Sequence, residues 1–224
     1  MDNQKTVLSN RDYNEYFEKS NYKETELILL PLGKLAVPTG EIIACDPLAH
    51  FYHSTPFNKS IQPGQHPVIA CIGRTEDLGY RYAVVKLEIL KTKAVKWELA
   101  IVDGQDVNEL NEDDFFGFPV DAGLGCFMDL KTKELFNIFN DDFFIKNPDE
   151  NIYDDFFAAE FKKNAMDQND PGDAGDWLNF YLPNQPDLNV IIFQSGYGDG
   201  VYPCYWGIDE NGEICSLIAD FNVL

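Results

Sequence analysis

The spacing of hydrophobic positions changes character three times along the chain. Near the start, Tyr13, Tyr16 and Phe17 recur at intervals of three and four, which predicts a short helix over about residues 10–19 with Ser9 placed to cap it. From about residue 25 to 130 the runs TELILLPLG, KLAVPTG, EIIACDPL, HPVIACIG, YRYAVVKLEIL and AVKWELAIVDG are apolar or alternating, rich in Val, Ile and aromatics and punctuated by Gly and Pro. They read as strands. In YRYAVVKLEIL, the set Ala83, Val85, Leu87 and Ile89 is the better candidate for the buried face.

Helical spacing returns over about residues 131–166. Leu135, Ile138, Phe139 and Phe143 form one apolar stripe, and Phe156, Phe157, Ala159 and Phe161 form another beyond the Asn147-Pro148 break. Strands resume over 176–224 with WLNFYLP, LNVIIFQSG, VYPCYWGI and EICSLIADFNVL, and Asn211-Gly212 marks a tight hairpin between the last two. With no internal repeat or flexible linker, the pattern predicts a single β-rich α+β domain of mostly antiparallel sheets carrying a helical insert.

Several phrases, in order, resemble the successive blocks of a known family. They are GKLAVPTGEIIACDPL (33–48), IQPGQHPV (61–68), RYAVVKLEI (81–89), WELAIV (97–102), PVDAGLGCFMD (119–129) and SGYGDGVYPCYWGIDENGEICSLIADF (195–221). Together they resemble the bacterial family catalogued as domain of unknown function 4241, over nearly the whole chain. The resemblance implies a single bacterial domain; it brings no activity, cofactor or catalytic set with it.

Composition sharpens the picture. The 224 residues are 45% hydrophobic and 14% aromatic, enough for a large core. The net charge of −21 argues against nucleic acid and anionic membrane as partners and favours a basic protein. Between Asp103 and Asp176, 20 acidic and 5 basic side chains hold −15 of that charge, which predicts one strongly negative face. No apolar run approaches the ~18 residues that span a bilayer. The sequence opens without a basic segment and apolar core of the secretory kind, and its five cysteines, an odd number, include no CxxC pair. Reduced thiols in a cytoplasm are expected.

Four stretches could carry chemistry. In ACDPL, Asp46 follows an apolar strand and projects either into a site or into an Asx-turn fixed by Pro47. His50 and His53 in HFYH lack a nearby third histidine, which argues against zinc. In PVDAGLGCFMD, Asp121, Gly123 and Asp129 could border a ligand, although Asp129 also suits a helix N-cap. Cys126 is a poor nucleophile in so acidic a chain. In SGYGDG, Ser195, Gly196, Gly198 and Asp199 form either a sheet corner or a corner that borders a pocket walled by Tyr202 and Trp206. It matches no phosphate loop. In NDPGDAGD, Asp170, Asp173 and Asp176 read as a solvated turn, since the EF-hand ligand order is missing.

Asp113-Asp114, Asp141-Asp142 and Asp154-Asp155 each precede aromatics, an arrangement that serves core packing or an exposed docking surface. Two functions are therefore expected. The first is an immunity-like binding protein that presents Asp141, Asp142, Asp154 and Asp155 to a basic partner. The alternative is an enzyme with an aspartate-lined site, of which a divalent-metal-dependent hydrolase is one form, gathering Asp46, Asp121, Asp129 and Asp199. The sequence decides neither whether there is catalysis nor which metal, cofactor or oligomeric state applies.

Overall fold

A computed structural model describes residues 6–75, 79–112, 114–165, 175 and 177–224. Its elements in chain order are α1 (Asn14–Glu18), β1 (Asn21–Tyr22), β2 (Thr25–Val37), β3 (Ile42–Cys45), β4 (Gly64–Thr75), β5 (Gly79–Glu88), β6 (Lys96–Leu99), β7 (Phe118–Val120) and β8 (Leu124–Asp129). There follow α2 (Leu130–Lys146), a π-helical turn (Ile152–Phe157), α3 (Ala158–Lys163), β9 (Trp177–Leu182), β10 (Gln185–Gln194), β11 (Gly200–Tyr202), β12 (Cys204–Ile208) and β13 (Ile214–Asp220). The helical insert and both flanking β regions lie where the change of period puts them. The first helix is shorter than expected and Ser9 does not cap it: Asp12 accepts from the Asn14 amide at 3.1 Å, while the Ser9 hydroxyl donates to the Tyr13 phenol.

Seven strands form one antiparallel sheet in the order β1-β2-β4-β5-β13-β12-β6, and four form a second in the order β3-β8-β10-β9. They pack face to face over a core that includes Leu35, Val37, Val85, Leu87 and Leu217 from the large sheet and Ile42, Phe127, Ile191 and Phe193 from the small one. The small sheet is buried on both faces. On β10, Ile191 and Phe193 face the large sheet while Val190 and Ile192 face α2, α3 and the π-helical turn, where Phe136, Phe157 and Phe161 complete a second core. This two-sided burial explains why LNVIIFQ reads as a continuous apolar run instead of an alternating one.

The outer face of the large sheet is covered by Tyr13 and Tyr16 around α1, which pack on Leu27, Ala83, Val84 and Ile218. Strand β5 therefore departs from the simple alternation expected of it. A register shift where β4 Cys71 and Ile72 face Val84 and Tyr82 changes the parity of the strand. Tyr82, Val85 and Leu87 point into the sandwich, whereas Ala83 and Val84 point to the α1 layer. The layers are thus α1, large sheet, small sheet and helical insert, in one α+β domain.

The β12–β13 hairpin forms as Asn211-Gly212 predicts. Asp209 and Glu213 close the loop by hydrogen bonds, the Asp209 carboxylate accepts from the Asn211 and Glu213 amides, and Gly212 takes φ 82°, a left-handed position that favours glycine.

Candidate functional site

The glycine-rich corner is built where the chain leaves the small sheet. After β10, Ser195 and Gly198 close a turn, the Ser195 hydroxyl donates to the Gly198 carbonyl at 2.8 Å, and the Tyr202 phenol donates to the same oxygen at 2.8 Å. Gly196 has φ 61°, and a Cβ there would stand 2.8 Å from Phe221 Cβ, so glycine is required by conformation and by packing together. The chain then pairs β11 with β7 and crosses into the large sheet as β12. The Ser195 amide donates to the Gly123 carbonyl at 3.1 Å, which joins this corner to the PVDAGLG loop.

The structure brings the Asp46, Asp121 and Asp199 segments side by side and sets Asp129 apart. Asp46 is fully buried, and its carboxylate accepts from the amides of Leu48, Ala49, Asp121 and Ala122 at 2.7–3.0 Å. It closes its own Asx-turn with one oxygen and pins the PVDAGLG loop with the other. Asp129, also fully buried, caps α2 through the Lys131 amide at 2.9 Å and accepts from the amide and hydroxyl of Thr39 at 3.0 and 2.7 Å. Ile42 of β3 pairs with Asp129, so Asp46 stands four residues further along, about 13 Å at strand rise. Asp121 and Asp199 are exposed. Asp199 lies near enough to Tyr202 that its charge, after burial, raises the phenol pKa. Among the described residues there is no group of three or more His, Cys, Asp or Glu side chains that could hold a metal ion.

Tyr202 and Trp206 are core residues between the sheets, and their strand neighbour Cys204 lines a cavity with His50 and His53. All five cysteines are buried and free. The Cys45 and Cys126 sulfurs lie 3.6 Å apart across the β3–β8 pair, and burial, followed by Cys45 and the charge of Asp46, pushes the Cys126 thiol well above its usual pKa. Burial, more than the acidic setting, is what disfavours the thiolate here. Asp170, Asp173 and Asp176 of the NDPGDAGD stretch lie outside the described residues, as does Asp113.

The helical insert holds the most distinctive surface. Buried Phe136, Asn140 and Phe143 face the small sheet, and the opposite stripe of α2 carries Glu134, Ile138, Asp141, Asp142 and Ile145 at spacings of three and four. Ile138 is 57% and Ile145 77% exposed, the latter the highest among the large apolar side chains described. A groove of about 390 Å³ runs between α2 and the β9–β10 hairpin, floored by Leu135, Phe139, Phe143 and Leu182 and edged by Asp142 and Lys146. Asp154 and Asp155 are exposed on the π-helical turn. Three of the four expected docking aspartates already have local partners. Asp141 accepts from the Tyr52 phenol at 2.6 Å, Asp142 pairs with Lys146 at 3.2 Å, and Asp155 accepts from the Asn151 amide at 2.7 Å. Burial, then the bond to Asp141, pushes the Tyr52 phenol up to about 12.

Sequence reasoning missed Asn189. Its side chain, fully buried on β10, accepts from the Ala36 amide and donates to the Lys34 carbonyl, both at 2.8 Å, and so clamps the small sheet to β2. Its neighbours in LNVIIF mark only an apolar strand, and an asparagine within such a run is the one available signal of an internal hydrogen-bond clamp.

The architecture is a two-sheet α+β sandwich with a helical layer on the small sheet. The chain belongs to the family described as protein of unknown function (DUF4241), which matches residues 35–219. That span runs from within β2 to within β13 and contains the whole helical insert. Comparison with curated proteins and with solved structures gives no match. Among the described residues, no helix is long and apolar enough to cross a membrane.

Proposed function

We propose that the protein is a bacterial, cytoplasmic binding protein that docks a basic protein partner on its helical face, as an immunity protein occupies a cationic cleft. One observation carries this reading: the outward stripe of α2 exposes Ile138 and Ile145 and flanks them with Glu134, Asp141 and Asp142. Apolar side chains ringed by acids suit a partner surface whose own apolar centre is ringed by lysine and arginine. From Asp141 to Asp155 six acidic side chains face one lysine, so the approaching partner meets a local field of one sign. The aspartate-site enzyme draws no comparable support, because Asp46 and Asp129 are committed to backbone amides at opposite ends of β3.

The test reverses Asp154 together with Asp142, whose exposed ion pair with Lys146 carries little stability. Asp142→Lys with Asp154→Lys, and separately Ile138→Ser with Ile145→Ser, are compared with the unchanged protein in capture of basic proteins from lysate of the source bacterium. Both pairs should abolish capture of the same partner while the thermal transition moves little, and raised salt should weaken the capture. Capture that survives both pairs, or the absence of any basic protein captured at low salt, would refute the proposal.

A further inference from the structure

At one end of the sandwich the two sheets are joined by residues 50–58. Phe51–His53 form a 3-10 turn, and the Ser54 hydroxyl donates to the His50 carbonyl at 2.9 Å. The Phe57 amide then donates to Ile42 of the small sheet, and the Asn58 amide to Ile101 beyond β6 of the large sheet, each at 2.9 Å. This strap roofs a part of the interlayer where the side chains below are small: Ala44 of β3, Ala100 after β6 and Cys204 of β12. Elsewhere this core is filled mostly by larger side chains, Leu, Ile, Val, Phe, Tyr and Trp, with Ala70 and Ala219 among them. Beside the strap, a cavity of about 240 Å³ remains, opening toward the exposed His53 and Thr55.

Its chemistry is specific. Phe57, Val102, Phe118 and Pro119 complete the apolar wall, while His50, His53, Ser54, Thr55 and Gln105 provide the polar atoms. The Gln105 carbonyl oxygen is already taken by the Val102 amide at 3.0 Å. No Asp, Glu, Lys or Arg lines the space, in a chain where 55 side chains carry charge. A cation would find no carboxylate there and an anion only the two histidines, so the lining favours an uncharged guest. Trp206 adds an independent observation. It stands two residues beyond Cys204, on the same face of β12, and packs edge to face on Phe57 with ring centroids 5.7 Å apart. Its indole N–H is buried without an acceptor among the described residues. Buried donors are nearly always satisfied, and this open one lies directly behind Phe57 of the lining, although Trp206 does not itself line the cavity.

We infer that this cavity is a binding site for a small, uncharged, largely apolar molecule that carries a hydrogen-bond acceptor. An apolar cavity of about 150 Å³ accepts benzene, so the larger space here suits a bicyclic ring system. The site lies between the sheets, whereas the acidic face lies beyond the small sheet, and neither depends on the other.

Quinoline, uncharged at neutral pH and bearing a ring-nitrogen acceptor, is the probe, with N-methylquinolinium and a quinoline carboxylate as its charged counterparts. Titration calorimetry at pH 7.5 should show quinoline binding and the charged compounds binding at least about tenfold more weakly. Ala100→Leu, which fills the cavity, should weaken quinoline by about tenfold or more. Should that variant fail to fold, methyl spectra of the unchanged protein decide the matter: quinoline should shift the signals of Ala44, Ala100 and Val102 and leave Ala159 in α3 unmoved. Absence of quinoline binding, equal affinity for a charged counterpart, undiminished affinity in folded Ala100→Leu, or shifts that avoid those methyls would overturn the inference.

Discussion

At the scale of single residues, two aspartates with similar sequence surroundings do opposite things. Asp46 and Asp199 both follow an apolar strand within a turn, yet Asp46 gathers four backbone amides and Asp199 lies exposed at the surface. Asp46→Asn keeps the shape but turns an NH₂ group toward two amide donors, leaving them without an acceptor. It should cost about 1–3 kcal/mol in urea unfolding. Asp199→Asn should stay within about 0.5 kcal/mol of the unchanged protein. Equal effects of the two substitutions would show that the contrast in burial is wrong. The Asx-turn at Asp46 was legible because Pro47 stops the strand and the turn chemistry is local. Its second role was not legible, since Asp121 and Ala122 lie some 75 residues away in sequence. Asn189 was hidden for the same reason: its partners on β2 are joined to it only by the packing of the sheets.

At the scale of elements, hydrophobic period located the helices and strands because each element buries a definite face. It failed for β5, where a bulge changes parity and both faces are covered, and for the strap at residues 50–58, which has no period at all. The strap nonetheless ties the cavity between the sheets to α2. Phe57 walls the cavity, Phe51 packs on Phe136 with centroids 5.5 Å apart, and Tyr52 reaches Asp141 through its phenol and Lys133 through its carbonyl. The start of α2 is tied down just as directly, since Asp129 caps the helix while holding the turn at Thr39. Asp129→Ala should therefore cost more than the ~1 kcal/mol of an ordinary cap. Thr39→Val, which keeps the amide and loses only the hydroxyl, should cost less. In chemical unfolding the double variant should be less destabilised than the sum of the two, because both remove the same bond. Strict additivity would mean that the cap and the turn act separately.

At the scale of the whole molecule, three layers of contact bury groups that ionise only in alkali. Burial pushes the Cys71 thiol up to about 12 and the Cys204 thiol well above its usual value. Cys126 is raised by burial and by Cys45, the Tyr205 phenol rises to about 12 through burial and the charge of Asp220, and Tyr13 is raised by the same two causes. Below pH ~8.5, thiols are protonated in the folded and unfolded chains alike, and stability does not depend on them. Above that, the unfolded chain releases protons that the folded chain retains, so fewer protons are bound when unfolded and stability falls as pH rises. The fully buried thiols Cys126 and Cys204 should each contribute a slope of about 1 kcal/mol per pH unit once the unfolded thiol is titrated. Growing negative charge on a chain already at −21 would weaken it too, but that repulsion is screened by salt and the buried-thiol effect is not. Urea unfolding should give nearly constant stability from pH 7 to 8, then a decline toward pH 10 that persists at about 1 M salt. A decline abolished by salt would assign alkaline weakness to surface repulsion alone, and a flat profile would show that these groups are not held protonated by the fold.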